Sequence, residues 1–311
     1  MPLLAVGALP PFLSERLSER YDYHQIADES EWGPALDALA PQIRGIAATG
    51  ESKVPRSLMD RLPKLEIVSV FGVGYDGVDA ASAHERGVIV TNTPDVLTDD
   101  VADLAIALML ATARKVVQAD GFVRRGDWAR GKFPFSRKVT GQRLGIVGLG
   151  RIGSAIAKRA EGFDMTIAYT KRTPVPGSAY RYLPDPVALA AESDFLILAT
   201  NGGEATRGLV GADALTALGP DGILINIARG TVVDETALIA ALTEGRIAGA
   251  GLDVFTHEPT VPAALMAMEN VVLTPHMASG TTTTRYAMAD LAFGNLDAHF
   301  AGKPVLTPVP R

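Results

Sequence analysis

The sequence predicts an α/β protein built on two doubly wound parallel sheets. Three observations carry the prediction. Apolar runs of β type alternate with helix-patterned stretches along most of the chain. The alternation breaks once, at a long apolar helix near position 98, and then resumes more regularly. The length, 311 residues, exceeds what one hydrophobic core organises comfortably, so two domains are expected.

Composition narrows the function classes. With 47% hydrophobic and 21% charged residues and no repeat or low-complexity tract, the chain is an ordinary globular one. A net charge of -6 and the lack of a long Lys/Arg block argue against a nucleic-acid partner. The absence of cysteine removes disulfides, thiolate metal sites and a cysteine nucleophile together. The opening MPLLAVGALPPF has no basic n-region and is interrupted by prolines, so Leu3 to Leu9 reads as a first strand rather than a signal peptide. Leu104 to Ala113, the most apolar helix-like run, is far short of the roughly 20 residues that span a bilayer. No membrane partner is expected, and the cytoplasm is the default location.

The elements come in order along the chain. Up to about Thr93, LLAVGAL, IRGIAAT, LEIVSVFG and VIVTNT read as strands, separated by helical segments such as EWGPALDALA. At TPDVLTDDVADLAIALMLATARKVVQAD the pattern changes: Thr98 can cap a long helix whose first turns hold Asp99, Asp100 and Asp103 near the positive dipole end. That role suits these acids better than metal binding, because no histidine lies nearby in sequence. After a loop with Trp128 and KFPFSRK come LGIVG, MTIAY, FLILAT, ILINI, IAGAGLDV and VVLTP, six candidate strands for a doubly wound sheet. Past the TTTT run, Arg285 to Phe300 puts Tyr286, Ala289, Phe293, Leu296 and Phe300 on one helical face, a core-packing stripe. A last helix after a complete second domain packs most economically on the first. The expected domains are 1–97 with 286–311, and 98–285.

The pattern G-x-G-x-x-G occurs at Gly72, Gly74, Gly77 and at Gly148, Gly150, Gly153. Alone, either match is weak. The second follows LGIV, opens a helix and reaches the strand MTIAY, which is the βαβ context a dinucleotide site needs. There Gly148 permits a tight turn, Gly150 lets pyrophosphate approach the backbone, and Gly153 lets helix and strand pack closely. The first loop, FGVGYDGVD, can turn backbone N–H groups inward as a nest for a small carboxylate, or can be a plain strand-to-helix turn; from the glycines the two readings stand level. GDWARGKF fits G-x-x-x-x-G-K, but Phe133 replaces the Ser or Thr that would hold magnesium and a proline comes next, so a P-loop is rejected.

The strand after the second glycine motif ends IAYTKRT, where an Asp or Glu would bind the ribose 2′-hydroxyl of NAD. No carboxylate is present. Thr170, Lys171, Arg172 and Thr173 would instead meet a 2′-phosphate, so NADPH is favoured over NADH. A solvated basic turn is the bland alternative; the position relative to the motif favours the cofactor.

Ligands bind beyond the carboxyl ends of strands in an open parallel sheet. Those positions hold Thr170, Thr200, Asn201, Arg229, Asp253 and His276. An arginine there can grip a carboxylate with two parallel bonds, and a histidine can move a proton near neutral pH. Taken singly, each has a structural explanation: a cap, a turn, a core histidine. Their joint occurrence at one edge points to a site. His24, His84, His257 and His299 form no ligand pair, no metal site is expected, and no G-x-S-x-G elbow is present.

Longer motifs run in a fixed order: SVFGVGYDGVD, TNTPDVLTDDVADLAIALMLA, GIVGLGRIGSAIAKRAEGFD, LINIARGTVVDETAL, GAGLDVFTHEP and TPHMASGT running into MADLAFGNLDAHFAGKPVLTPV. In these the chain resembles the D-isomer-specific 2-hydroxyacid dehydrogenases, in particular the glyoxylate, hydroxypyruvate and hydroxyphenylpyruvate reductases. The resemblance covers nearly the whole chain after Lys64. It implies two Rossmann-like or flavodoxin-like domains, a substrate domain built from both chain ends, an active site in the interdomain cleft, and a homodimer whose contacts include the helix after Thr98. The family's catalytic arginine falls on Arg229, its glutamate on Glu258 and its histidine on His276. Its carboxylate-binding backbone falls on Val73 and Gly74, which lifts the nest above the plain turn, and Arg229 and His276 complete the substrate contacts. The aspartate at the nicotinamide carboxamide falls on Asp253. Thr98, Arg151, Ile152, Ala228, Ser279 and Gly280 fall on further cofactor positions. One departure is ATNGGEATRGLV, where related sequences have proline or leucine near Asn201.

The implied activity is NADPH-preferring reduction of a small 2-oxo acid to a D-2-hydroxy acid, with His276 as proton donor. An NAD-dependent dehydrogenase is the nearer rival, and a dinucleotide-sensing corepressor-like binding protein the rival from another class. A formate dehydrogenase would carry glutamine at the Glu258 position.

Overall fold

The structure is a computed structural model that describes residues 1–27 and 32–310. The chain divides into two compact units, one made of Met1–Leu97 and the segment from Thr281 onward, the other of Thr98–Gly280.

The first unit opens with β1 (Pro2–Val6), α1 (Pro11–Arg20), β2 (Asp22–Ile26), α2 (Pro34–Leu39), β3 (Gly45–Thr49), α3 (Arg56–Arg61), β4 (Ile67–Phe71), α4 (Ala80–Glu85) and β5 (Ile89–Thr91). The helical segment expected over EWGPALDALA is α2; Glu31 lies outside the described residues. The strands form one parallel sheet in the order β2-β1-β3-β4-β5. The order reverses between β1 and β3, where the carboxyl ends of an open sheet leave a crevice. β2 does not stand out in the sequence, because DYHQI is polar and buries only Ile26. It exists as an edge strand by register with β1, from Pro2↔Asp22 to Val6↔Ile26.

The second unit holds α5 (Thr98–Ala113), α6 (Val116–Arg124), β6 (Arg143–Val147), α7 (Arg151–Glu161), β7 (Thr166–Thr170), β8 (Arg181–Tyr182), α8 (Pro186–Ala191), β9 (Phe195–Leu198), α9 (Ala212–Leu218), β10 (Ile223–Asn226), α10 (Glu235–Thr243), β11 (Gly249–Leu252), α11 (Ala263–Met266) and β12 (Val271–Leu273). All pairs are parallel, in the order β12-β11-β10-β9-β6-β7-β8. The sheet has seven strands rather than the expected six. The extra one, β8, is two residues long and too short to leave an apolar signature. Thr98 is the first residue of α5. Asp99 and Asp103 do more than complement its dipole: both pair with Arg159 of α7, at 3.0 and 2.5 Å. Glycine lets α5 lie close on the sheet, since a Cβ on Gly251 would sit 3.0 Å from Thr112 and 3.1 Å from Leu108.

The chain then returns to the first unit as α12 (Thr282–Phe300), whose N-cap Thr281 accepts a bond from the Thr284 N–H. Its buried stripe is Met288, Ala289, Ala292, Asn295 and Leu296, against β4. Tyr286 is not in the core as expected but 54% exposed, because the small residues set the helix close to β4 and leave the first-turn ring outside, stacked on Phe12 at 4.8 Å. Among the described residues, no helix is long and apolar enough to cross a membrane.

Candidate active site

The glycine turn after β6 has the shape that a pyrophosphate requires. Gly148 sits at φ +102°, a region L side chains rarely adopt, and a Cβ there would lie 2.7 Å from the Ala199 carbonyl and 2.9 Å from Thr200 Cα. Gly153 packs harder still, its Cβ position 2.0 Å from the Gly148 carbonyl. Gly150 is different: nothing lies within 4 Å of its Cβ position, and it is the N-cap of α7 without a side-chain cap. Open space thus faces the positive end of a helix whose first N–H groups no capping side chain satisfies, with Arg151 and Ile152 opening that helix. The residues fit a dinucleotide.

β7 and β9 flank β6. Thr170 ends β7 and is buried, and Lys171, Arg172 and Thr173 come next, on the surface. Thr200 follows β9 against Gly148, and the carbonyl of exposed Asn201 accepts from Thr206 Oγ1.

On the other half of the same edge, β10, β11 and β12 are neighbours, and the residues just past them are Arg229, Asp253 and His276. Arg229 is held by its backbone. Buried Asn226 donates from its amide to the Arg229 carbonyl at 2.9 Å and accepts from the Ala228 N–H at 3.0 Å. Gly230 then lies flat on the next segment, its Cβ position 2.0 Å from the Phe255 carbonyl carbon. Phe255 N–H donates to Glu258 Oε1 at 2.8 Å, and the other oxygen, Oε2, meets His276 Nδ1 at 2.6 Å. A continuous chain of contacts therefore links the Arg229 backbone to the imidazole through Phe255 and Glu258.

His276 has a left-handed backbone, φ +48°. A non-glycine residue adopts that conformation at a cost and keeps it only where the surroundings impose it. Asp253 imposes it. Its backbone carbonyl accepts from the His276 N–H at 2.8 Å; its Oδ1 accepts from Thr274 Oγ1 and Met277 N–H, and its Oδ2 from Ala278 N–H. Asp253 is 0% exposed, and burial raises its pKa above the ordinary 3.8 against these bonds, which act to lower it. Expected at the carboxamide, the residue also accepts three bonds from the loop that carries the histidine. Ser279 and Gly280 end that loop, Gly280 N–H donating to the Met277 carbonyl. Ala228 is buried beside Arg229, and Thr98 is half-buried at the start of α5.

Val73 and Gly74 lie in the first unit, past β4. The Gly72 carbonyl accepts from Thr93 N–H at 2.9 Å and the Val73 carbonyl from Asn92 Nδ2 at 2.9 Å. The turn after β3 packs beneath this loop, with Ser52 O 2.2 Å from the Gly77 Cβ position. Asn92 is braced in turn by Thr307, and Thr307 by buried Asn295. Asn92, Asn226 and Asn295 do not stand out in the sequence. Their one signal there is a lone asparagine closing or following an apolar run, which is too common to select on.

Residues 106–278 match the family model described as D-isomer specific 2-hydroxyacid dehydrogenase, NAD binding domain. The chain is 48% identical over 307 residues to hydroxyphenylpyruvate reductase of Plectranthus scutellarioides, covering 99% of this chain and 98% of that protein. It is 47% identical over 307 residues, with the same coverage, to 2-ketogluconate reductase of Gluconobacter oxydans. Among solved structures, the NADPH-dependent glyoxylate/hydroxypyruvate reductase of Sinorhizobium meliloti, in complex with NADP and malonate, superposes with a TM-score of 0.92 at 48% identity, covering 99% of this chain and 96% of that one.

Proposed function

Because the chain belongs to the D-isomer specific 2-hydroxyacid dehydrogenase family, we propose that it reduces small 2-oxo acids to D-2-hydroxy acids with NADPH as preferred cofactor. The observation that carries the reading is the 2.6 Å contact between Glu258 and His276 Nδ1 at the sheet edge that also bears Arg229. A carboxylate at Nδ1 fixes a proton on that nitrogen and leaves Nε2 as the one that faces substrate.

The cofactor, when bound, supplies the hydride that reduces the ketone carbon. Gly148, Gly150 and the α7 N-terminus would hold its pyrophosphate, and Lys171, Arg172 and Thr173 its 2′-phosphate. Arg229 and the N–H groups of Val73 and Gly74 take the substrate carboxylate; bonds from Thr93 and Asn92 to the Gly72 and Val73 carbonyls hold the loop that carries those N–H groups. His276, in its imidazolium form with Nδ1–H kept on Glu258, donates its Nε2 proton to the carbonyl oxygen and is left as neutral imidazole. Negative charge grows on that oxygen during reduction, so the imidazole and the guanidinium bind the transition state better than the ketone. Asp253 keeps the histidine loop in register.

The relatives named above act on substrates with an aryl, a polyol or a minimal tail, and all four substrates in their names are 2-oxo acids. The reacting end is what this site reads. Assaying NADPH and NADH oxidation against glyoxylate, hydroxypyruvate and hydroxyphenylpyruvate tests the reading; an inert protein with every pair would sink it.

A homodimer completes the proposal. Val116, Val117, Val123, Trp128 and Phe135 are large apolar side chains exposed on and after α6, and α6 has no buried residue. Large apolar side chains exposed along one segment call for a partner, and a second copy fits the family. Sedimentation at the monomer mass would oppose it. We place the protein in the cytoplasm, which suits a cysteine-free chain.

A further inference from the structure

The edge strand β8 is too short to bury much, yet it sets two tyrosines side by side. It pairs with β7 at Ala168↔Arg181 and Tyr169↔Tyr182, and the two rings lie 5.5 Å apart. Both hydroxyls address the segment between the strands. Tyr182 Oη donates to the Lys171 carbonyl at 3.2 Å. Tyr169 Oη, on a ring only 1% exposed, accepts from the Val175 N–H at 2.8 Å. The basic turn is thus tied to the sheet at both of its ends, while Lys171, Arg172 and Thr173 remain exposed between the ties. Pro174 and Pro176 stiffen the segment beyond the turn, and Ser178 N–H closes it on the Val175 carbonyl. A loose turn would have to be ordered by its ligand, which weakens binding; a tied one is already ordered.

We propose that Tyr182 and Tyr169 are positioning residues that hold the Lys171–Thr173 turn in the shape that receives the 2′-phosphate of NADPH. Neither touches the phosphate; they act through the turn, so the proposal rests on that turn being the phosphate site. The ligand is a phosphomonoester that NADH lacks, and the two tyrosines therefore set selectivity rather than turnover.

Tyr182→Phe and Tyr169→Phe keep the rings and remove the hydroxyls. Each is compared with the natural protein for KM and kcat toward NADPH and NADH at saturating glyoxylate, and again in a Lys171→Ala/Arg172→Ala background. The expected result is a roughly three- to tenfold rise in KM for NADPH, the reach of one hydrogen bond, with kcat and the KM for NADH unchanged. The rise disappears in the double-alanine background, where there is no cationic turn left to position. No rise, an equal rise for both cofactors, or a rise that persists in that background overturns the proposal. Failure of the underlying reading shows separately: Arg172→Asp with intact tyrosines would leave the NADPH-to-NADH ratio unmoved, removing the turn's role and the tyrosines' together.

Discussion

Replacing Glu258 with glutamine changes one atom type at a contact whose geometry dictates the outcome. Two demands fall on the carboxylate: Phe255 N–H needs an acceptor at 2.8 Å, and the protonated Nδ1 of His276 needs one at 2.6 Å. Glutamine has one carbonyl oxygen. If it keeps the bond to Phe255, its NH2 group faces Nδ1 and can only be received by a nitrogen without a proton, which reverses the tautomer. If it turns to serve the histidine, the Phe255 N–H meets a donor. Either way one charge-assisted bond is lost, worth about 1.5–3 kcal/mol. At about 1.36 kcal/mol per tenfold, kcat should fall by roughly 10- to 150-fold if the bond matters in the transition state. The side chain is the same size and Glu258 is 19% exposed, so the fold should persist. Steady-state NADPH oxidation with glyoxylate reads kcat, and a fluorescence titration reads NADPH affinity, which should not move. Unchanged kcat would refute the role given to Glu258; equal losses in kcat and NADPH affinity would show a collapsed edge instead of a mispositioned imidazole.

Other contacts carry expectations of their own. Arg172→Asp places a like charge at the 2′-phosphate and should lower the NADPH-to-NADH ratio of kcat/KM by about tenfold or more, measured with both cofactors in one assay. Gly153→Ala improves helix propensity but puts a Cβ 2.0 Å from a backbone carbonyl, so overpacking wins: about 1–3 kcal/mol lost, read as a thermal midpoint several degrees lower. Hydrogen bonds from Arg143 hold Asp194 below the ordinary 3.8 despite partial burial. A depressed folded value means that the unfolded chain takes up the proton first, so this stability is present above about pH 3.8 and is lost as pH falls through the lower folded value. Asp194→Asn should therefore flatten the pH dependence of urea unfolding in that acid window, and an unchanged slope would count against the pair.

Where the sequence was legible, one local signal settled the structure. The apolar runs that became β1, β3, β4, β6, β7, β9, β10, β11 and β12 are buried on both faces, as parallel strands between helices must be, so each reads as a continuous apolar run. The glycine turn was legible for a related reason: close approach at Gly148 and Gly153 tolerates no other residue. β2 and β8 were not legible, because edge strands are set by their neighbour's register rather than by their own composition. The sequence also put Arg229, Asp253 and His276 at strand ends without saying which groups they serve. Asp253 shows the difference. Its position comes from β11, but its bonds go to residues 274, 277 and 278, across a strand pairing that no periodicity encodes. Tyr286 fell to a similar cause, since helical spacing identifies a stripe but not how far it extends beyond the sheet it covers.

The central claim is that His276 gives the proton that completes reduction of a 2-oxo acid. Its most direct test is turnover of glyoxylate or hydroxypyruvate with NADPH by the natural protein and by His276→Ala, with NADPH affinity measured alongside. General-acid catalysis contributes about a hundred to ten thousandfold, so the variant should lose kcat on that scale and still bind NADPH as tightly as before. Turnover by His276→Ala at the natural rate would contradict the claim and leave the contact with Glu258 without a catalytic purpose.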